Sequence, residues 1–270
     1  MTKPEESDRI IAETTAWNHG QPPDVVWQIA GSAHPGLFLE TPLEIQRAQM
    51  DINYWGACYL AFSTLKAWTK PASTIDQPAG TSQTKGKRQF IMTSSIACLI
   101  GLAGYAPYSP AKAAMRSLAD DLHSELNIYN GARRSKDPAI RAQAPEKDIS
   151  VHLVIPGTID SPGLQNENLT KHAVSHILEE GDVVQSEDEV AATAVSRLEK
   201  GDYLITTQWL ADVMKVAALG GSPRNNVVVD TVLSWIAGIA YLFVTPDMEG
   251  KVFKYGKQHG TKSVKKEEKK

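Results

Sequence analysis

The chain is expected to fold as an α/β domain on a doubly wound parallel sheet, and three observations lead there. Four short runs rich in β-branched and apolar residues recur along its 270 residues. Longer stretches with apolar residues at helical spacing separate those runs. The runs end on turn-forming or small polar residues, so each is too short for a helix and suits a strand covered on both faces.

Taken in order, Glu5 to Trp17 carries Ile10, Ile11, Thr14 and Trp17 at helical spacing before NHGQPP stops it. Asp24 to Ala30 (DVVWQIA) reads as a buried strand ending at Gly31. Pro42 to Trp68 is a long amphipathic helix, with Thr41 expected as N-cap and Pro42 at the first helical position. Lys70 to Lys87 is a Pro-, Ser-, Thr- and Gly-rich surface loop, and Gln89 to Ser94 (QFIMTS) a second strand. Pro107 to Tyr129 forms the next helix, and a charged loop leads to a third strand, Ile149 to Ile155, stopped by Pro156 and Gly157. Glu187 to Leu198 is a helix that Ser186 can cap, and Tyr203 to Thr207 (YLITT) is the fourth strand. No internal repeat is visible.

With 42% hydrophobic and 22% charged residues, this is an ordinary globular composition. A formal net charge of −3 gives no reason to expect nucleic acid as a partner. Cys58 and Cys98 sit in apolar surroundings without a CxxC partner or metal-ligand spacing, so two buried free thiols and no metal are expected. The polar, acidic start MTKPEESDRI is neither a signal nor a transit peptide.

The chemistry concentrates in TSSIACLIGLAGYAPYSPAKAA. Tyr108 and Lys112 are four apart on one helix and share a face. An ammonium beside a phenol favours the phenolate and lowers a pKa that starts near ~10. A tyrosine tuned that way can give or take a proton as a carbonyl and an alcohol interconvert. Ser95 lies 13 residues earlier at a strand end, where a hydroxyl can hydrogen-bond a substrate oxygen. A lone YxxxK is weak. The serine at a strand end, the gap and YSPAKAA opening a helix are much more specific together.

That block resembles the signature of the short-chain dehydrogenase/reductase family, a Rossmann-like fold. The resemblance implies Ser95, Tyr108 and Lys112 as catalytic residues, and places the family's catalytic asparagine on Asn53 in MDINYWG. It further implies that Lys112 holds the cofactor ribose, Ser95 orients the carbonyl and Asn53 maintains a water link to Lys112. IAGSAHPG (29–36) resembles the family's NAG turn, with Ala30 and Gly31 against the cofactor and Gln28 where asparagine is usual. PGTIDSPG (156–163) resembles the loop over the nicotinamide, with Ile159 at the carboxamide and Ser161 where threonine is usual. Asn53, Tyr108 and Lys112 belong to the implied cofactor set as well.

AGSAHPGLF, MDINYWG, GLAGYAPYSPAKAAMR and SPRNN (222–226) resemble, more narrowly, the branch that reduces the ketone of a long-chain sphingoid base with NADPH. This implies a membrane-lipid substrate, a place in sphingolipid synthesis and compatibility with a homo-oligomer. No GxxxGxG follows any strand, and the first strand found matches the family's fourth. The expected fold therefore lacks the family's first three strands and the phosphate cradle. A second reading is a non-catalytic remnant of this fold that binds lipid or a protein partner.

Residues 1–222 are read as that incomplete domain, 223–248 as an apolar membrane-associating segment and 249–270 as a basic tail. Val227 to Thr245 has one charge, Asp230, and includes Trp235 and Tyr241, rings suited to a membrane interface. Eight Lys against three Glu follow between Glu249 and Lys270. Association with the cytosolic face of the endoplasmic reticulum membrane is expected, the helix lying in the interface. A core helix closing the domain, followed by a solvated tail, is the competing reading.

Overall fold

The computed structural model describes residues 2–71 and 86–264. The loop expected over Lys70 to Lys87 falls mostly outside them. The elements are α1 (Pro4–Trp17), β1 (Val25–Gln28), α2 (Leu43–Met50), α3 (Gly56–Trp68), β2 (Lys87–Thr93), α4 (Ser109–Ala132), α5 (Pro138–Ala142), β3 (Asp148–Ile155), α6 (Pro162–Thr170), α7 (Ala173–Leu178), α8 (Glu187–Glu199), β4 (Leu204–Thr206), α9 (Trp209–Ala217) and α10 (Val227–His259). The four strands lie in one sheet in the order β1-β2-β3-β4. β1 pairs with β2 in parallel, Val25 opposite Gln89 and Gln28 opposite Met92. Sequence-adjacent strands with helical crossovers are the expected doubly wound pattern.

The residues group into two compact units. The first holds residues 1–31, 51–93 and 115–153. Its core is formed by Phe90 and Met92 of β2, Val151 and Leu153 of β3, Trp68 of α3 and Met115 and Ala119 of α4, all but lost to solvent. The apolar positions of α4 recur at i, i+4, which turns one stripe of the helix inward. Ser63 Oγ donates to Asp8 Oδ1 at 2.7 Å, tying α1 to α3, and Trp68 Nε1 donates to the Pro23 carbonyl at 2.8 Å.

The second unit holds residues 32–50, 94–114 and 154–270. Leu204 and Ile205 of β4, Ala194 and Leu198 of α8 and Ala211 of α9 are buried, and β4 contacts both helices. α8 starts on the expected Ser186, which with Glu189 forms a reciprocal capping box. The SPRNN run also acquires a physical role. Asn225 Oδ1 accepts from the Tyr203 and Leu204 amides and its Nδ2 donates to Leu204 O, while Asn226 Oδ1 caps α10.

Three expectations need correction. The helical run expected from Pro42 to Trp68 is unbroken from Leu43 but not α-helical throughout: Asp51–Trp55 forms a π-helical turn between α2 and α3. Thr41 lies a residue further out than expected. Its hydroxyl donates to Leu37 O, and Pro42 O accepts the first helical amides, Ile45 and Gln46. Cys58 and Cys98 are free thiols, but both are half-buried.

α10 is longer than the apolar run suggested. It continues through Pro246 to His259, past the boundary set at residue 248. At 1.5 Å per residue its 33 residues span about 50 Å, beyond the ~30 Å hydrocarbon core of a bilayer. It is one helix long and apolar enough to cross a membrane, and only 11% of its apolar window is buried. Trp235, Ile239, Leu242 and Phe243 are all largely exposed, which a core helix closing the domain would not be. Its C-terminal part is anchored: Tyr255 packs with Ala173 and Val174 of α7, and its hydroxyl donates to Lys262 O and accepts from Val264 N.

Candidate active site

β2 delivers Ser94 and Ser95 to its carboxyl end, the edge of a parallel sheet where ligands bind. Ser95 has extended backbone and caps a single 3₁₀ turn, Ile96–Cys98, its Oγ accepting from Ala97 N at 3.2 Å. Ser94 N donates to Val154 O at 2.7 Å and Ile96 N to Pro156 O at 3.0 Å, which fixes this turn against the end of β3. Ser94 Oγ donates to the Lys112 carbonyl at 3.1 Å, locking the first turn of α4 beside it.

Tyr108 immediately precedes α4, and Lys112 lies one turn in. The Ser95 and Tyr108 side chains are hydrogen-bonded. Lys112 is buried, with Nζ 5.6 Å from the centre of the Tyr108 ring. Ser95, Tyr108 and Lys112, expected together, are brought together here.

The electrostatics differ from expectation. Burial pushes the Tyr108 phenol above its usual range; the Ser95 hydrogen bond pulls it down and the nearby Glu167 charge pushes it up. Burial also pushes Lys112 down to about 8, partly opposed by Cys98. The expectation that Lys112 lowers the tyrosine's pKa is therefore not met. Desolvation is the largest influence on this phenol, and the downward pull comes from Ser95.

Sequence reading missed the group behind Tyr108. Tyr105, buried, has its ring centre 6.3 Å from that of Tyr108. Its hydroxyl bonds Glu167 Oε1 at 2.6 Å and also Glu179 Oε1. Lys171 Nζ pairs with Glu167 at 3.1 Å and Glu179 at 2.7 Å and lies over the Tyr105 ring. Gly104 makes this approach close: at φ +90° it carries no side chain, and a Cβ would stand 2.0 Å from Ser175 Oγ. The local signal was only a GY pair before YSPAK; the partners lie 62 and 74 residues away.

The implied cofactor residues of this unit lie after β3. Ile159 bridges to Gln185, with Asp160 N donating to Gln185 O and Gln185 N donating to Thr158 O. That pattern leaves the N–H and C=O of Ile159 itself on the opposite side, one donor and one acceptor, as a carboxamide requires. Ser161 caps α6, its Oγ accepting from Leu164 N at 3.3 Å. At Gly157 a Cβ would stand 1.9 Å from Gln208 Nε2, so a side chain there requires Gln208 to move.

In the other unit Ala30 and Gly31 follow β1, and Gln28 takes over part of the turn, its Nε2 donating to Ala30 O at 2.5 Å. Gln28 Oε1 is buried without a protein partner. Asn53 is fully buried in the π turn, a helical irregularity common at functional sites.

Sheet, strand-end serine and the Tyr108–Lys112 turn lie on a Rossmann-like fold, and the chain belongs to the short-chain dehydrogenase family, whose model matches residues 1–133. Over 263 residues it is 45% identical to the 3-ketodihydrosphingosine reductase ksrA of Aspergillus fumigatus, covering 97% of this chain and 70% of that one. It is 35% identical over 252 residues to the 3-ketodihydrosphingosine reductase gsl-3 of Neurospora crassa, spanning 64% of that protein's length. Among solved structures, a short-chain dehydrogenase from Burkholderia cenocepacia in complex with NADP is similar with a TM-score of 0.56, at 18% identity over 82% of this chain and 73% of that one. One from Streptomyces avermitilis gives 0.55 at 19% identity, over 91% of this chain and 78% of that one. At such identities these two likenesses carry the fold.

Proposed function

We propose that this chain carries the carbonyl-reducing site of an NADPH-dependent reductase converting 3-ketodihydrosphingosine to dihydrosphingosine in sphingolipid biosynthesis. The observation that supports it is the Ser95–Tyr108–Lys112 set, closed on its inner side by the buried Lys112, in a chain 45% identical over nearly its whole length to a relative of that name. NADPH, when bound, supplies the hydride. Ser95 holds the ketone oxygen, and Tyr108 donates its proton there as charge develops. A phenol kept protonated by burial is suited to act as the acid in the reducing direction. Lys112 is the cation beside that proton and holds the ribose. The N–H and C=O of Ile159 fit the carboxamide, while Ala30, Gly31, Asn53 and Ser161 complete the proposed cofactor set.

α10 supports placement on the endoplasmic reticulum membrane, because the substrate is itself a membrane lipid and the helix is apolar and exposed. The Lys-rich residues after it favour the anionic cytosolic leaflet. The test is incubation of a version of this chain completed with the family's phosphate-binding strands with NADPH and 3-ketodihydrosphingosine, with dihydrosphingosine read by mass spectrometry. Product is expected. Reduction of unrelated ketones with none of this one would overturn the substrate assignment.

A further inference from the structure

The stretch Ala97–Leu102, directly after Ser95, lines an open cavity of about 620 Å³ beside the Tyr108 turn. Its other walls include Phe38, Ala106 and Pro110, and no charged side chain faces it. Of its lining residues Tyr105 and Ser109 flank Tyr108 in the chain, and Ser109 Oγ is buried without a partner. A second cavity of about 710 Å³ lies between this stretch, α7 and α10. Leu178, Pro246, Val252 and Phe253 line it, with Glu249 contributing the charge. The two cavities share one residue, Gly101. The second cavity is walled in part by α10, a helix long and apolar enough for a bilayer.

We infer that the two cavities form one trough for a single long alkyl chain, running from the Tyr108 end past Gly101 to α10, so that a lipid is reduced at its head while its tail stays in contact with the membrane helix. The inference rests on the reductase reading for the identity of the head group, whereas the trough is defined by its lining alone. Gly101 is the gate residue. It is exposed, its φ is compatible with any side chain, and a Cβ there meets nothing within 4 Å. A large residue at 101 thus fills the trough without disturbing a neighbour.

The experiment measures binding to the full chain by calorimetry with three probes: an eight-carbon 2-amino-3-ketone, its four-carbon counterpart, and plain octanol. Wild type is expected to bind the longer ketone at least about tenfold more tightly than the shorter, since each buried methylene contributes roughly fourfold. Gly101→Phe, by bulk, and Gly101→Asp, by charge, should each reduce that ratio to near one while leaving the short ketone's affinity unchanged. An undiminished ratio in both variants overturns the trough. Octanol binding that is lost in both variants, with neither ketone bound more tightly than octanol, upholds the trough and instead removes the reductase reading.

Discussion

The Lys112 ammonium nitrogen lies 5.6 Å from the centre of the Tyr108 ring, the tyrosine just before α4 and the lysine in its first turn, and serines at the end of β2 hold both residues. Ser95 bonds the tyrosine, and Ser94 holds the carbonyl of the lysine. The pair is thus a helix neighbourhood fixed by two serines at one strand end.

In a version of the chain completed with the family's phosphate-binding strands, Tyr108→Phe removes the proposed proton donor and keeps the ring. Ketone reduction should fall about 10²–10⁴-fold, with the far-ultraviolet circular dichroism unchanged. NADPH consumption checks it, and near-full activity in the variant would overturn the assignment.

Lys112 makes stability depend on pH. Burial pushes it down to about 8 from an ordinary value of 10.5. Between those values the unfolded chain holds a proton that the folded chain has released, so stability rises with pH across that window. Below it the folded chain carries a desolvated charge, costing on the order of 3 kcal/mol. Lys112→Met should raise the urea midpoint at pH 7 and flatten the rise above pH 8. Parallel pH profiles for the two proteins would show that the lysine is not the cause.

Lys171 is the counter-charge to two carboxylates that meet one phenol. Its side chain is 2% exposed. Lys171→Met leaves Glu167 and Glu179 facing each other across Tyr105, and unfolding free energy should drop by about 3–5 kcal/mol. Adding Glu179→Gln should restore part of it. A loss below about 1 kcal/mol in the single variant would mean that water already compensates the carboxylates.

α10 should be the membrane anchor. A chain ending after Arg224 loses the exposed apolar helix and should move from the pellet to the supernatant on membrane fractionation. Equal pelleting of both forms would assign the anchor elsewhere.

Local spacing made much of this molecule legible. Four-residue separation on a helix brings Tyr108 and Lys112 to one face whatever surrounds them. A serine closing an apolar run lies at a strand end, and Ser186 with Glu189 marks a helix start within four residues. The strands, their order of appearance and the caps depend on interactions of that range. Asn53 was legible as a residue but not as a π turn, because the amphipathic pattern across Pro42 to Trp68 runs through the irregularity without a break.

What only the tertiary structure decided are the quantities set by burial and by partners far along the chain. Tyr105 meets Glu167 and Glu179 across 62 and 74 residues, and no pattern near the YSPAK block announces them. The direction of the Tyr108 shift reversed for the same reason. Pairing with Lys112 is local, whereas desolvation is imposed by the whole surrounding fold and is the larger effect. α10 follows the same logic. Its composition fits a core helix or a membrane helix, and the packing of its neighbours leaves the apolar face uncovered.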